Sequence, residues 1–340
     1  MRRRNQPIVL TVSVMRRLPV LPLFGIVVAV GCSGSSNGSG FGSGGDDDGG
    51  VGGGDDGGGF SGDGSFTSGD GGTTGTNCSE AAKLVYVLSS DNDLYSFSPP
   101  SKQFKKIGRL TCQTSMTPNS MAVDRDANAW VNYAEGDPIT GQDTGGAIFK
   151  VSTANASCQP TSIQLRNNWY RLGMGFSTNS SMGTDETLYV AATGGGLGGT
   201  NSPGLGKIDL GAQKLNTIGP FTGQLVGQNA ELTGTGDARL FGFFTTMPVQ
   251  VAELNKASGA VMSTKALNGV ETPSFWAFSF WGGDFYLYTA PDAMMSPNRT
   301  SNVTRYRPSD GSIDTAYMTN VGFRIVGAGV STCAPITPPR

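Results

Sequence analysis

The stretches FRIVGAGVST (residues 323–332) and LVYVLSS (residues 84–90) stand near opposite ends of the 340-residue chain. Each has the apolar character of a β-strand. The first has no strand partner after it, and the second lacks one before it. Pairing the two would remove two open sheet edges, which proteins otherwise have to protect. We therefore expect the two stretches to complete one sheet together.

Between them, a pattern of strand, polar turn and strand recurs about every 50 residues. Clear copies are SMAVDRDANAWVNY (120–133), RLGMGFSTNSSMGTDETLYVAAT (171–193), AELTGTGDARLFGFF (230–244) and FWAFSFWGGDFYLYT (275–289). A second pair of short strands follows each copy, and no helical pattern intervenes. Four short strands per repeat are typical of an all-β fold, the β-propeller. We predict five blades, with six as the alternative, closed by pairing of the N- and C-terminal strands.

The cysteines support this closure. After Cys32, four remain, and an even number favours two disulfides in an oxidising compartment. Closure of the ring places Cys333 near Cys78, which predicts one disulfide. Cys112 and Cys158 fall near the outer strands of adjacent blades, which predicts the second, with two free thiols as the alternative.

The N-terminus resembles an export signal. Five arginines and no acidic residue accompany the apolar stretch LPVLPLFGIVVAVG (18–31), which is short for a membrane span. Small residues precede Cys32, as in a bacterial lipobox, and either Met1 or Met15 would give a complete signal. We predict a lipoprotein signal peptide over 1–31 and a lipid on Cys32, with ordinary secretion as the alternative. Ser33 favours the outer membrane, because it is not the aspartate of inner-membrane retention.

The next segment has the composition of a linker. Residues 33–77 contain 20 glycines, seven aspartates and no basic residue, so residues 32–77 are expected to be disordered. The domain is predicted over 78–335, with a short tail over 336–340. Residues 78–340 balance 19 basic against 19 acidic residues. This neutral balance gives no reason to expect nucleic acid as a partner, and we expect a monomer that meets the membrane through its lipid.

Several phrases resemble uncharacterised bacterial lipoproteins of the myxobacterial type. They are RLGMGF, AELTGTGDARLFGFF, FWGGDFYLYT, VTRYRPSDGS and VGFRIVGAGVSTCAP. The resemblance covers nearly all of 78–335. It implies a lipid anchor, an acidic stalk and a propeller-like domain, and it implies no activity.

One stretch matches the ligand spacing of a calcium loop. In DRDANAWVNYAE (124–135), Asp124, Asp126 and Asn128 fall at positions 1, 3 and 5, and Glu135 falls at position 12. However, Ala129 stands where the loop needs glycine, and the same residues suit a hairpin turn. We favour the turn, keep calcium as the alternative, and expect no other cofactor.

The chain has no histidine, so catalysis would have to use other groups, such as carboxylates. Residues near the starts of the innermost strands, Arg171, Glu231, Glu271 and Arg324, are expected to lie around the channel. Glu231 and Glu271 could form an acid–base pair if they lay about 5–10 Å apart.

Recognition is the expected function. Trp281, beside a turn, is the best candidate for an exposed aromatic residue. Long connections at 132–146, 191–206 and 289–302 share one face, where binding usually occurs. We therefore expect an envelope-tethered recognition or scaffolding module for an envelope protein or polysaccharide. The alternatives are a carboxylate-dependent carbohydrate-active enzyme and a lectin-like carbohydrate-binding propeller.

Overall fold

The computed structural model describes residues 78–137, 139–166, 168–181, 183–193, 201–292 and 294–339. The predictions for residues 1–77, which include the signal peptide, the lipid on Cys32 and the linker, lie outside this part of the chain. Within the described residues we find no helix whose length and hydropathy would suit a membrane span.

Twenty strands form five four-stranded antiparallel sheets, which are the blades of a β-propeller. From the innermost strand outward, blade 1 contains β20 (Ile325–Val330), β1 (Val85–Ser89), β2 (Asp93–Ser98) and β3 (Gln103–Arg109). Blade 2 contains β4 (Thr117–Val123), β5 (Asn128–Gly136), β6 (Asp143–Ser152) and β7 (Cys158–Pro160). Blade 3 contains β8 (Leu172–Thr178), β9 (Glu186–Ala192), β10 (Leu205–Asp209) and β11 (Lys214–Gly219).

The last two blades repeat the order. Blade 4 contains β12 (Ala230–Gly234), β13 (Leu240–Phe244), β14 (Gln250–Leu254) and β15 (Val261–Ala266). Blade 5 contains β16 (Phe275–Trp281), β17 (Asp284–Ala290), β18 (Asn302–Arg307) and β19 (Ser312–Met318). The described helices are two 3₁₀ turns, Ala81–Lys83 and Gly223–Leu225. The prediction of five blades is confirmed.

Blade 1 is built from both ends of the domain, as predicted. Strand β20 pairs antiparallel with β1, from Val330 opposite Val85 to Ile325 opposite Ser89. Cys78 and Cys333 form a disulfide beside this junction, with their Cα atoms 5.8 Å apart. Cys112 and Cys158 form the second disulfide, with their Cα atoms 5.0 Å apart, so both predicted pairings are present in the structure.

Apolar side chains fill the space between blades. Each of the five junctions has its own buried cluster. Between blades 4 and 5, for example, Phe243 packs beside Phe278 with ring centroids 5.8 Å apart. Because a blade buries its faces only against its neighbours, closing the ring is what completes the core.

The innermost strands approach one another closely around the axis. A Cβ atom on Gly173 of β8 would lie 2.1 Å from the carbonyl oxygen of Ala230 in β12. No side chain fits at such a distance, so the sequence needs glycine there.

The described part of the C-terminal tail packs onto blade 5. The backbone N–H of Gly282 donates to the carbonyl oxygen of Pro335, 2.7 Å away. Ile336 then packs against the apolar cluster between blades 4 and 5. The segment beyond residue 335 is therefore joined to the propeller up to residue 339.

Candidate ligand-binding site

A cavity of about 350 Å³ opens on the propeller axis, where the innermost strands begin. Every blade contributes to its wall. The lining residues are Ser90, Thr117, Pro118, Asn119, Arg171, Thr193, Glu231, Ser274, Phe275, Trp276 and Val326. Its size is at the lower end of the range of about 300–1,000 Å³ for small-molecule sites.

The long connections lie at the same end of the propeller as the cavity. Thr117, at the start of β4, pairs with Ala134 near the end of β5, and Phe275, at the start of β16, pairs with Ala290 at the end of β17. The β5–β6 and β17–β18 connections therefore start beside the cavity mouth. The third long connection, 191–206, includes residues 194–200, which lie outside the described part of the chain.

A polar network holds one wall in place. Arg171 donates from Nε to Asp143 Oδ1 at 3.0 Å and from Nη1 to Asn119 Oδ1 at 2.9 Å. Asn119 Nδ2 in turn donates to the Leu172 carbonyl oxygen at 2.7 Å and to Asn132 Oδ1 at 3.0 Å. The Arg171 guanidinium is thus fixed before any ligand arrives.

The carboxyl group of Glu231 lies at the base of this wall and is almost completely buried. The Ser120 hydroxyl donates to its Oε1 across the axis. Burial raises the pKa of Glu231 well above its ordinary value, and this effect outweighs the hydrogen bonds from Ser120 and the Met174 backbone. Burial therefore favours the protonated form of Glu231 over the carboxylate.

Two residues of the cavity wall carry a buried polar atom without a partner. Four such side-chain atoms occur among the described residues: Asp93 Oδ1, Thr193 Oγ1, Trp276 Nε1 and Arg324 Nε. Thr193 and Trp276 line the cavity. Arg324 adjoins it, since its Cζ lies 6.0 Å from the ring centroid of the lining residue Phe275. Buried polar groups normally have partners, so these exceptions make the cavity the candidate site for a polar ligand.

The structure does not bring the proposed acid–base pair together. Glu231 lines the cavity, whereas Glu271 forms an exposed ion pair with Arg299, 2.7 Å between Oε2 and Nη2. Among the described residues that line the cavity, Glu231 is the sole carboxyl group. Glu271 precedes β16 by four residues, and the strand pattern does not fix the direction of a loop side chain.

Trp281, the aromatic residue singled out from the sequence, lies at the other end of β16. Its Nε1 donates to the Lys83 carbonyl oxygen at 2.9 Å, so it fastens the 3₁₀ turn Ala81–Lys83 to blade 5. Trp276, five residues earlier and about 17 Å away along the strand, is the tryptophan at the cavity. Alternation alone did not distinguish it, because a residue facing the axis and one facing a neighbouring blade look alike in sequence.

Of the residues in the calcium hypothesis, Glu135 lies apart from the other three. Asp124 Oδ1 accepts the backbone N–H groups of Asp126 at 3.1 Å and Asn128 at 2.8 Å, and its Oδ2 accepts Trp130 Nε1 at 3.0 Å. This is a hairpin turn with its carboxylate already engaged. Glu135 lies near the far end of β5, so the four residues do not form one loop. Within the described residues no group of three or more candidate ligands is placed to hold a metal ion.

No family model matches the chain, and no curated protein matches its sequence. The solved structure of YjhT is similar in fold, with a TM-score of 0.43 and 11% identity, over 72% of this chain and 86% of that one. A solved structure of a protein proposed to be a gluconolactonase has a TM-score of 0.37 and 14% identity, over 71% of this chain and 74% of that one. At these values the likeness concerns the fold alone.

Proposed function

We propose that this protein is a recognition module that binds a small carbohydrate in the axial cavity. The observation that carries the proposal is the group of unpartnered buried atoms, Thr193 Oγ1, Trp276 Nε1 and Arg324 Nε, around one cavity. Leaving a buried donor or acceptor without a partner costs about 1–3 kcal/mol. A bound molecule rich in hydroxyl groups would supply these partners.

The rest of the lining suits the same class of ligand. Phe275 and Trp276 provide aromatic surface for the apolar faces of a sugar ring. Asn119, Thr117 and Ser274 add donors and acceptors for ring hydroxyls. A small apolar site with a few fixed polar groups is the usual form of a ligand pocket.

Hydrolysis of the sugar is not part of the proposal. Glycosidases use two carboxyl groups about 5–10 Å apart. Of the described residues lining the cavity, Glu231 alone carries a carboxyl group, and the second candidate, Glu271, is paired with Arg299. Binding therefore accounts for the site better than catalysis.

We also propose that the module is tethered to the bacterial envelope through a lipid on Cys32, with the glycine- and aspartate-rich segment as a flexible spacer. The support is the sequence before residue 78: an arginine-rich start, a short apolar stretch, and a cysteine after small residues. Mass spectrometry of the membrane fraction would detect acyl chains on Cys32. Recovery of wild-type protein in the soluble fraction, with an unmodified N-terminus, would contradict the tether.

Isothermal titration of monosaccharides and short oligosaccharides tests the carbohydrate site, with Thr193→Val and Trp276→Phe as variants. Both remove an unpartnered polar atom, and Thr193→Val also keeps the shape of the side chain. We expect each to weaken binding by at least about 2–13-fold, the value of one hydrogen bond. Thr193→Val should leave the free energy of unfolding unchanged or higher, whereas Trp276→Phe also loses part of the ring and its packing.

Trp281→Phe is the matched control. It removes an indole N–H that has a partner, the Lys83 carbonyl oxygen, at the opposite end of β16. We expect it to lower the free energy of unfolding by about 1 kcal/mol and to leave sugar affinity unchanged. No measurable binding of any sugar by the wild-type protein, or equal binding by Thr193→Val and Trp276→Phe, would overturn the proposal.

A further inference from the structure

We propose that the ligand of the axial cavity is an acidic sugar, whose carboxylate is held at the cavity mouth between Arg171 and Arg324. This inference rests on the proposed carbohydrate site and names the class of sugar that the site takes.

Arg171 offers a guanidinium group that is already oriented. Its Nε and Nη1 are held by Asp143 at 3.0 Å and Asn119 at 2.9 Å. Its Nη2 has no hydrogen-bond partner among the described residues, and the side chain is 30% exposed where it lines the cavity. A fixed guanidinium with a free N–H loses little entropy when it binds a carboxylate.

Arg324 supplies a positive charge without a carboxylate partner. Its Nη2 donates to the carbonyl oxygens of Ser296 at 3.1 Å and Pro297 at 3.0 Å. Neither acceptor carries a full charge, and no acidic side chain of the described residues pairs with Arg324. Its Nε is buried and has no partner. A partly buried guanidinium of this kind binds a carboxylate more strongly than a neutral group.

The charge balance at the cavity favours an anion. Arg171 lines the cavity and pairs with the carboxylate of Asp143, and Arg324 lies beside the lining residue Phe275. Burial raises the pKa of the Glu231 carboxyl group, which disfavours a negative charge there. The neighbouring residues Arg299 and Glu271 form an ion pair with each other. Arg324 therefore remains without a carboxylate partner among the described residues, which suits one carboxylate of a ligand.

The aromatic and hydroxyl groups of the wall fit the remainder of such a ligand. Phe275 lines the cavity and its ring centroid lies 6.0 Å from Cζ of Arg324, so a sugar ring against Phe275 would lie near that guanidinium. A carboxylate accepts two N–H groups in one plane and suits the geometry of arginine. A phosphate dianion would leave one negative charge without a partner here.

Calorimetric titration with matched sugar pairs tests whether the site prefers an acidic sugar. The pairs are D-glucuronate with D-glucose and D-galacturonate with D-galactose, which differ only in a carboxylate at C6, and D-glucose 6-phosphate is a third arm. For the wild-type protein we expect at least one uronate to bind about tenfold or more tighter than its neutral partner. The difference should shrink as salt increases, because part of it is electrostatic.

Arginine variants show which side chains cause the preference for the uronate. Arg324→Gln and Arg171→Gln should each reduce affinity for the uronate about tenfold more than they reduce affinity for the neutral sugar. If Arg171→Gln disturbs the fold because Asn119 loses its partner, the affinities of Arg324→Gln alone test the inference. Arg166→Gln is the control, because Arg166 is an exposed residue whose Nη2 bonds to Thr217 Oγ1 away from the cavity.

The outcomes separate this inference from the proposed function. Three results would overturn the acidic-sugar inference and leave the carbohydrate site standing. They are equal or tighter binding of the neutral sugars, tighter binding of the phosphate than of the uronates, and retention of the uronate preference in Arg324→Gln. Binding of neither member of any pair would overturn both.

Discussion

At the scale of single residues, the carboxyl groups of Glu231 and Glu186 both have a pKa that burial raises. Glu231 faces the cavity, and Glu186 lies where blades 1, 2 and 3 meet. Glu186 accepts the backbone N–H of Arg125 at 2.8 Å and the hydroxyl of Thr332 at 2.8 Å. Burial outweighs these bonds and raises the pKa of Glu186 to about 7.

Glu186 should make stability depend on pH. A carboxyl group whose pKa is higher in the folded state gives stability below the unfolded pKa and loses it as pH rises through the folded pKa. The free energy of unfolding of the wild-type protein, compared with that of Glu186→Gln, should therefore fall between about pH 4.5 and pH 7, by up to about 3 kcal/mol. Urea denaturation of both proteins at several pH values measures this difference in the free energy of unfolding. A constant difference between the two proteins across this range would contradict the assignment.

Sequence patterns located only part of the candidate site. Glu231 could be placed at the channel because it stands at the start of an innermost strand. Thr193 and Trp276 could not be selected, since their importance comes from a missing hydrogen bond, and only coordinates reveal that. Trp281 and Glu271 looked equally suitable in sequence, yet each is bonded elsewhere.

At the scale of strands, the propeller depends on close packing of its innermost layer. Strand pairs and turns were visible in the sequence, because alternation and turn residues are local signals. The spacing between innermost strands was not visible, since it depends on residues far apart in the chain. Gly173 of β8 and Ala230 of β12, for instance, are 57 positions apart and meet across a blade junction.

Gly173→Ala should therefore be strongly destabilising. Its methyl group would lie 2.1 Å from the Ala230 carbonyl oxygen, so two strands must move apart. We expect a loss of about 3 kcal/mol in the free energy of unfolding, near the upper end for an inserted methyl group. Gly211→Ala is the control, because its methyl group would meet only the Asp209 side chain, at 3.5 Å. Similar stability of the two variants would show that the inner layer is not so tightly packed.

At the scale of the whole molecule, the first and last strands of the propeller close the ring. Strand β20 pairs with β1, and the Cys78–Cys333 disulfide covers the junction. This feature was predictable, because an unpaired strand at each end of a repeat array has one evident partner. The cavity follows from it, since Val326 of β20 and Ser90 after β1 form part of its wall.

The two disulfides should differ in their effect on stability. The Cys78–Cys333 bond spans 255 positions and the Cys112–Cys158 bond spans 46. Because a longer loop restricts the unfolded chain more, replacing Cys78 and Cys333 by serine should cost up to about 5 kcal/mol, and replacing Cys112 and Cys158 up to about 4 kcal/mol. Denaturation of the two double variants compares them. A greater loss of stability on replacing Cys112 and Cys158 would contradict ring closure as the main role of the Cys78–Cys333 disulfide.

The central claim is that the five-blade ring holds a carbohydrate on its axis. A crystal structure of the protein grown with the tightest-binding sugar of the titrations tests it most directly. We predict density for one sugar in the axial cavity, hydrogen-bonded to Thr193 Oγ1 and Trp276 Nε1 and in contact with Phe275. A sugar bound outside this cavity, or a cavity that contains only water at saturating sugar, would contradict the account.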